Sequence, residues 1–196
     1  PISSPILWQN LQEIGYNIIE CQLSISKKVN RTEREKFHSL FSPFSIKRVV
    51  SQNDLQSVLQ EIAKGIFTTD RIAIDPVFGV EVASRRYCNW IQSKFDDPNM
   101  HLDIIIADQI EIGFAFNQVS DNEKNIIGLL GGLYREFQNC GYGFAMLSPI
   151  YLSASENLKY HRTSISLNNL PVMRIYQYLG YQFTECRYVF VKHVKG

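Results

Sequence analysis

Clustered cysteines, a membrane-length apolar run and a strong excess of one charge are all missing from this 196-residue chain. Its four cysteines lie far apart, with no Cys-x-x-Cys and no Cys/His cluster, which disfavours a zinc framework or a disulfide scaffold and predicts reduced thiols in the cytoplasm. Twenty Lys and Arg against nineteen Asp and Glu give a net charge of +1, far from the basic excess of a dedicated nucleic-acid binder. An ordinary globular chain without a nucleic-acid partner is therefore expected.

The longest stretch without a charged residue is interrupted too often to be a membrane span. It runs from residue 137 to 155 and contains Gln138, Asn139, two glycines and Pro149, so no span is expected. The chain opens with Pro1 and shows no basic segment followed by an apolar one. We therefore expect no signal peptide, and the numbering fits a fragment cut short at its start.

Hydrophobic periodicity predicts an α/β fold of the α+β kind, with a mixed, largely antiparallel sheet flanked by helices. Alternation or short apolar runs predict seven strands, over residues 16–25, 47–51, 102–107, 110–117, 125–134, 161–167 and 182–192. Helical spacing predicts five helices, over residues 6–14, 54–63, 80–95, 144–158 and 171–179. The polar stretch 27–34 is predicted to be a loop.

A glycine-rich turn stands between the predicted strand 125–134 and the predicted helix 144–158. It reads Gln138, Asn139, Cys140, Gly141, Tyr142, Gly143 and then Phe144. Such a turn directs several backbone N–H groups to one point, and the positive end of a helix dipole favours an anion there, so a pyrophosphate fits. The spacing matches neither the dinucleotide-binding nor the triphosphatase glycine motif. On the residues alone, a plain strand–helix turn is equally favoured.

A second motif about 25 residues downstream links this turn to a known family. With it, the sequence resembles the GNAT superfamily of acetyl-CoA-dependent N-acetyltransferases over roughly residues 101–192. The family's pyrophosphate pattern is matched by Gln138, Gly141 and Gly143. Its second signature is matched by Asn169, Val172, Ile175, Tyr176, Leu179, Gly180 and Tyr181.

The resemblance implies roles for residues of both motifs. Acetyl-CoA would be the acyl donor, without a metal, and residues 138–144 would bind it. Tyr176 would be the general acid that protonates the departing thiolate, or a tyrosine packed in the core. Asn169 would hold the cofactor arm, or cap the helix that follows it. Backbone groups of Leu133 and Arg135 would pair with the pantetheine amides in a gap between two splayed strands.

A narrower resemblance concerns the amine acceptor. Residues 15–23, 67–76 and 86–91 look like the acetyltransferases of dTDP-4-amino-4,6-dideoxy-sugars, the dTDP-fucosamine group. This implies a small N-terminal domain at 1–45, an acyltransferase domain at 46–196, and a nucleotide-sugar acceptor used in surface-polysaccharide synthesis. Candidate acceptor contacts are Arg71, Asp75, Arg86 and Tyr87, with solvated or salt-bridged arginines as the alternative. The alternatives for the acceptor are a protein N-terminus, a polyamine or an amino acid. The alternative function is a non-catalytic CoA-binding module. A homodimer is also possible.

Some residues depart from the family pattern. Arg135 stands where proline is usual, Cys140 replaces lysine or glycine, and Pro149 should bend the helix over 144–158. Cys140 lies at a helix start but is not expected to act as a nucleophile. Candidates for the general base are Glu111, Glu123 and His161. The alternatives are that each is a surface residue and that a chain of water molecules carries the amine proton away.

Overall fold

A computed structural model describes residues 5–120, 124–153 and 157–194, which form one seven-stranded sheet with helices on both faces. The strands are β1 (Asn17–Lys28), β2 (Phe44–Arg48), β3 (Met100–Ala107), β4 (Ile110–Ser120), β5 (Asn125–Leu133), β6 (Tyr160–Ser166) and β7 (Gln182–Val191). The helices are α1 (Pro5–Glu13), α2 (Arg31–Phe41), α3 (Gln52–Ala63), α4 (Gly79–Lys94), α5 (Ser148–Leu152) and α6 (Leu170–Tyr178). Two 3-10 segments, Arg135–Phe137 and Tyr142–Leu147, connect β5 to α5.

The sheet order is β2-β3-β4-β5-β6-β1-β7, and every neighbouring pair is antiparallel except β5 and β6. The predicted mixed, largely antiparallel sheet flanked by helices is therefore confirmed. None of the helices in the described part of the chain has the length and apolar character needed to cross a membrane.

Consecutive side chains of the central strands enter different cores. Ile104 lies in the core that α3 and α4 cover, whereas Ile105 lies on the opposite face, with Ala145 of the 3-10 segment. Helix α3 forms because Ser51 caps it by accepting the N–H of Asp54 at 3.1 Å, and its apolar residues recur on one face. Helices α2, α5 and α6 cover the other face beside β1 and β6.

Strand β1 is inserted between two strands that come from the other end of the chain. It pairs with β6 from Gln22↔Ser166 to Lys28↔Tyr160, and with β7 from Asn17↔Val191 to Ser26↔Gln182. The alternation over 16–25 predicts a strand but not this position, because position depends on tertiary pairing. A domain boundary near residue 45 stays a prediction, while the strand before it shares one hydrogen-bonded sheet with strands after it.

Three segments differ from the sequence prediction. The strand predicted over 47–51 is β2 at Phe44–Arg48, because the chain has already turned into α3 at its N-cap, Ser51. Residues 31–41 form α2 rather than continuing a loop, because Asn30 caps the helix at the N–H of Glu33, and Phe37 and Phe41, four residues apart, are buried. The predicted long helix over 144–158 is wrong. Pro149 lies in the first turn of α5, where its missing N–H costs nothing, so the proline starts a helix instead of bending one.

The inserted position of β1 predicts unequal costs for two isoleucine truncations on that strand. Ile25 is 1% exposed and Ile18 is 39% exposed. Ile25→Ala should lower the free energy of unfolding by about 2–5 kcal/mol, because a cavity is left in the core. Ile18→Ala should cost less than about 1 kcal/mol. Urea denaturation measures both, and equal losses would contradict the burial of β1.

Candidate functional site

Strands β5 and β6 pair only over their first halves and then separate. Their parallel register runs from Asn125↔Tyr160 to Gly128↔Thr163 and stops there, although β5 continues to Leu133 and β6 to Ser166. The separation opens a cavity of about 870 Å³, which we call the wedge cleft. Beyond Gly128, the β6-facing backbone groups of β5 have no strand partner and can pair with an extended ligand.

The apex of the wedge cleft is closed by tight contacts around Gly128. The hydroxyl of Thr163 donates to the Gly128 carbonyl oxygen at 2.8 Å. A Cβ atom at position 128 would lie 3.1 Å from Nε2 of His161 and 3.3 Å from the Thr163 side chain. Only glycine lets β5 approach β6 this closely at the point where the two strands part.

Tyr176 of α6 lies in the wall of the wedge cleft, next to its apex. Its ring is 4.8 Å from that of Tyr181 and 6.4 Å from that of His161. Burial is the main cause that raises the pKa of Tyr176 above its usual range, so the phenol keeps its proton at neutral pH. The arrangement leaves Tyr176 able to give a proton inside the cleft.

Asn169 serves as the N-cap of α6, its side-chain oxygen accepting the N–H of Val172 at 3.4 Å. The same residue lines the wedge cleft. The capping role predicted as an alternative is thus present, and the capped end of α6 faces the cavity.

His161 belongs to a buried chain of polar groups. The side chain is 0% exposed, Nδ1 lies 2.5 Å from the Tyr181 hydroxyl, and that hydroxyl lies 2.9 Å from the hydroxyl of Tyr151. Nε2 is buried and has no hydrogen-bond partner among the described residues. Burial lowers the pKa of His161 to about 3, so the imidazole is neutral and a weak base.

The other two candidate general bases are Glu111 and Glu123. Glu111 lies on β4 opposite Ile106 of β3 and is not among the described residues that line the wedge cleft. Glu123 lies outside the described residues.

The glycine-rich turn follows the open end of β5, outside the lining of the wedge cleft, which Met146 and Leu147 reach. Asn139 and Gly141 have positive φ angles of 64° and 88°. The Gln138 side-chain amide donates to the carbonyl oxygens of Ile66 at 3.1 Å and Leu133 at 3.2 Å. Gln138 therefore fastens the turn to the end of β5 rather than presenting a free side chain.

The turn leads into a 3-10 segment, Tyr142–Leu147, and not into an α-helix. The expectation that an α-helix dipole favours an anion at this turn is therefore wrong. Anion binding by the turn stays a prediction, and it would depend on backbone N–H groups rather than on an α-helix dipole. A Cβ at Gly143 would lie 2.8 Å from Cδ1 of Ile175, so this glycine allows the segment to pack on α6. The ring of Phe144 contacts that of Tyr178 on the same helix, with centroids 5.6 Å apart.

The remaining predicted cofactor residues lie around the end of β5. Tyr142 packs between the rings of Phe44 and Phe137. Cys140 is exposed, its thiol 3.5 Å from the Gln138 carbonyl oxygen, and Arg135 is exposed at the start of the first 3-10 segment.

Three of the four predicted acceptor residues line the wedge cleft, namely Arg71, Arg86 and Tyr87. The guanidinium of Arg86 lies 5.3 Å from the centre of the Tyr87 ring. Burial, assisted by the charge of Asp70, raises the pKa of Tyr87 to about 12. These side chains form a polar wall on the face of the sheet that α4 covers.

Asp75, the fourth predicted acceptor residue, is not among the described residues that line the wedge cleft, and its contact with an acceptor stays a prediction. Its Oδ1 accepts the N–H of Val77 at 2.8 Å, and its Oδ2 lies 3.1 Å from Nε2 of His193. Both carboxylate oxygens of Asp75 therefore already have partners, the backbone of its own turn and the side chain of His193.

Glu20 of β1 is a cleft residue that the sequence analysis misses. It is 3% exposed, and its Oε2 accepts the backbone N–H of Arg71 at 3.0 Å. Burial is the main cause that raises the pKa of Glu20. An acidic residue inside the apolar alternation of residues 17–25 is the signal that marks it.

Beside Glu20, the exposed face of β6, β1 and β7 continues the cleft as a polar floor. It presents Gln22, Ser24, Ser26, Ser164, Glu185 and Arg187. Among the described residues, no group of three or more His, Cys, Asp or Glu could hold a metal ion.

Comparison with known proteins shows the fold. No protein-family model matches the chain, and no curated protein matches it significantly. Solved structures do match, including a functionally unknown conserved protein from Staphylococcus epidermidis ATCC 12228, with a TM-score of 0.71 and 14% identity over 98% of this chain and 68% of that one. GCN5-related N-acetyltransferases from Sphaerobacter thermophilus and Kribbella flavida give TM-scores of 0.60 and 0.56 at 13% identity, over 96% and 97% of this chain. The chain spans only 56% and 65% of these two proteins.

The close contact at the apex predicts that Gly128 tolerates no side chain. Gly128→Ala should lower the free energy of unfolding by about 1–3 kcal/mol, because the new methyl group meets His161 and Thr163. Gly131→Ala on the same strand is the control, since its Cβ would be 3.4 Å from the nearest atom, an ordinary contact. Urea denaturation of both variants tests this, and an equally small effect at Gly128 would contradict the packing.

Proposed function

We propose that this protein is an acetyl-CoA-dependent N-acetyltransferase that transfers the acetyl group directly to a primary amine. The observation that carries the proposal is the position of Tyr176, a protonated phenol beside the apex where β5 and β6 part. The likeness of the fold to GCN5-related N-acetyltransferases supports it.

The residues around the wedge cleft fit acetyl-CoA. The unpaired edge of β5 beyond Gly128 would take the pantetheine arm by backbone hydrogen bonds, which depend little on side-chain identity. Asn169 at the capped end of α6 lies beside this path. The N–H groups of the turn at 138–144, with Gly141 in the left-handed conformation, would take the pyrophosphate.

The chemistry needs one proton donor at the sulfur. The amine nitrogen forms a bond to the thioester carbon, and the carbon–sulfur bond then breaks. Tyr176 gives its hydroxyl proton to the departing sulfur, and the nitrogen releases one proton to water in the cleft mouth, from which the phenolate recovers its own. No covalent enzyme intermediate is required, which is consistent with the exposed Cys140 lying outside the cleft lining.

The acceptor side of the cleft supports a polar amine that also carries negative charge. We propose a dTDP-linked amino-dideoxy sugar, whose diphosphate would meet Arg71 and Arg86, while the serines of the polar floor would meet sugar hydroxyls. Glu20 accepts the backbone N–H of Arg71 and so supports the segment that carries this arginine.

Binding and turnover together test the proposed function. Calorimetry should show acetyl-CoA binding, and thiol release should depend on the amine supplied. A useful panel is a dTDP-4-amino-4,6-dideoxy-sugar, a polyamine, an amino acid and a short peptide. The sugar nucleotide should be the best substrate. Binding without turnover on any amine would favour a CoA-binding module, and absence of binding would overturn the proposal.

A conservative change of Tyr176 separates catalysis from packing. Tyr176→Phe keeps the ring, so acetyl-CoA affinity and melting temperature should change little, while turnover should fall by roughly 10² to 10⁴ because the departing thiolate loses its proton donor. Tyr178→Phe on the same helix is the control, since Tyr178 is 75% exposed. Turnover of Tyr176→Phe equal to that of the control, with a lowered melting temperature, would assign Tyr176 a structural role.

A further inference from the structure

The buried chain Tyr151–Tyr181–His161 fixes which imidazole nitrogen of His161 carries the proton. Its two hydrogen bonds join the Tyr151 and Tyr181 hydroxyls at 2.9 Å, and the Tyr181 hydroxyl and Nδ1 of His161 at 2.5 Å. Each tyrosine has one proton to donate, and the neutral imidazole has one N–H and one lone pair. The direction of donation along the chain therefore decides the tautomer.

Donation from Tyr151 toward His161 satisfies more groups than the reverse. In that direction Tyr151 donates to Tyr181, Tyr181 donates to Nδ1, and only the N–H at Nε2 is left without a partner. In the reverse direction Nδ1 donates to Tyr181 and Tyr181 to Tyr151, so the Tyr151 proton has no acceptor among the described residues and the Nε2 lone pair is also unpaired. The neighbouring carboxylate of Glu33 is engaged by Lys27 at 2.6 Å. Because unpaired buried groups are costly, His161 carries its proton on Nε2.

Nε2 lies at the apex of the wedge cleft, buried next to Gly128. Nε2 would lie 3.1 Å from a Cβ on Gly128, the last residue of β5 that pairs with β6. His161 lines the cavity, and its ring lies alongside that of Tyr176. Leaving a buried donor unpaired costs free energy, so a group that arrives with the ligand and accepts this hydrogen bond would recover that cost.

We propose, on the basis of the proposed function, that the Nε2–H of His161 donates a hydrogen bond to the thioester carbonyl oxygen and stabilises the charge that develops there. His161 is then a second catalytic residue beside Tyr176. When the amine nitrogen bonds to the carbonyl carbon, the π electron pair moves onto the oxygen and strengthens this hydrogen bond. The pair returns as the carbon–sulfur bond breaks, and His161 keeps its proton throughout.

The neutral state of His161 suits this role. Burial holds its pKa far below neutral, so the ring does not become a cation that would need a counter-charge inside the cleft. A neutral imidazole can still polarise a carbonyl group, and a fixed donor aimed at developing charge contributes strongly in a site sheltered from water. The weak basicity also explains why His161 is a donor here rather than the general base.

Nitrogen-15 NMR of the wild-type protein tests the tautomer and the contact directly. The His161 signals are assigned by their absence in His161→Phe or His161→Gln, and the free protein should show the proton on Nε2. Acetyl-CoA should shift the Nε2–H resonance, whereas CoA, which lacks the thioester carbonyl group, should not. A proton found on Nδ1, equal shifts with both ligands, or no shift while calorimetry shows both bound would overturn the inference. Failure of both ligands to bind would instead remove the proposed function, and the inference with it.

Kinetics supply a second readout. His161→Phe removes the donor but keeps a ring, and should lower kcat by roughly 10²- to 10³-fold with little change in acetyl-CoA affinity. His161→Gln offers an amide N–H in a similar place and should recover part of that loss. A folded His161→Phe protein with near wild-type kcat would overturn the inference. Where His161→Phe does not fold, the NMR comparison on the wild-type protein decides.

Discussion

The divergence of β5 from β6 is the constraint on which the site depends. Each strand is held along its full length on its outer side, β5 by β4 and β6 by the inserted β1. Between them, pairing ends at Gly128 and Thr163. The β4–β5 ladder has one register shift, at Leu129, and otherwise both outer ladders hold the strands apart, which leaves the backbone of β5 beyond Gly128 without a strand partner on the β6 side. The wedge cleft is thus a product of sheet topology rather than of a mobile loop.

The apex of this wedge gathers polar groups that are all neutral. Burial raises the pKa of Tyr151, Tyr176 and Tyr181 and lowers that of His161, so none of them carries charge near neutral pH. Charged groups surround this cluster without belonging to it. Lys27, paired with Glu33 at 2.6 Å, lies 6.0 Å from the centre of the Tyr181 ring, and Glu20 meets the segment of Arg71 elsewhere in the cleft. Hydrogen-bond direction, rather than a charge on Tyr176 or His161, therefore operates where the reaction is proposed to occur.

The parts of this arrangement that follow from local patterns could be predicted from the sequence. Alternation and apolar runs located six strands closely and the seventh, β2, only by its last two residues, and the motif residues Asn169 and Tyr176 line the cleft. Helix α2 was missed because its buried face consists mainly of Phe37 and Phe41 in a polar segment. The pairing of Asp75 with His193 depends on how the chain's end folds back, which local sequence does not encode. For the same reason the insertion of β1, and with it the cleft position of Glu20, could not be foreseen.

That insertion joins the two halves of the proposed reaction. The elements proposed to take acetyl-CoA come from one continuous stretch, β5 through α6, whereas the acceptor wall combines β1, the segment containing Arg71, α4 and β7. Strand β1 contributes to both, since its pairing with β6 maintains the gap and its Glu20 holds the backbone of Arg71. Changes in β1 would therefore alter the proposed acceptor wall through Glu20 and the cleft geometry through the β1–β6 ladder. A single strand thus joins the proposed acyl-donor site to the proposed acceptor site.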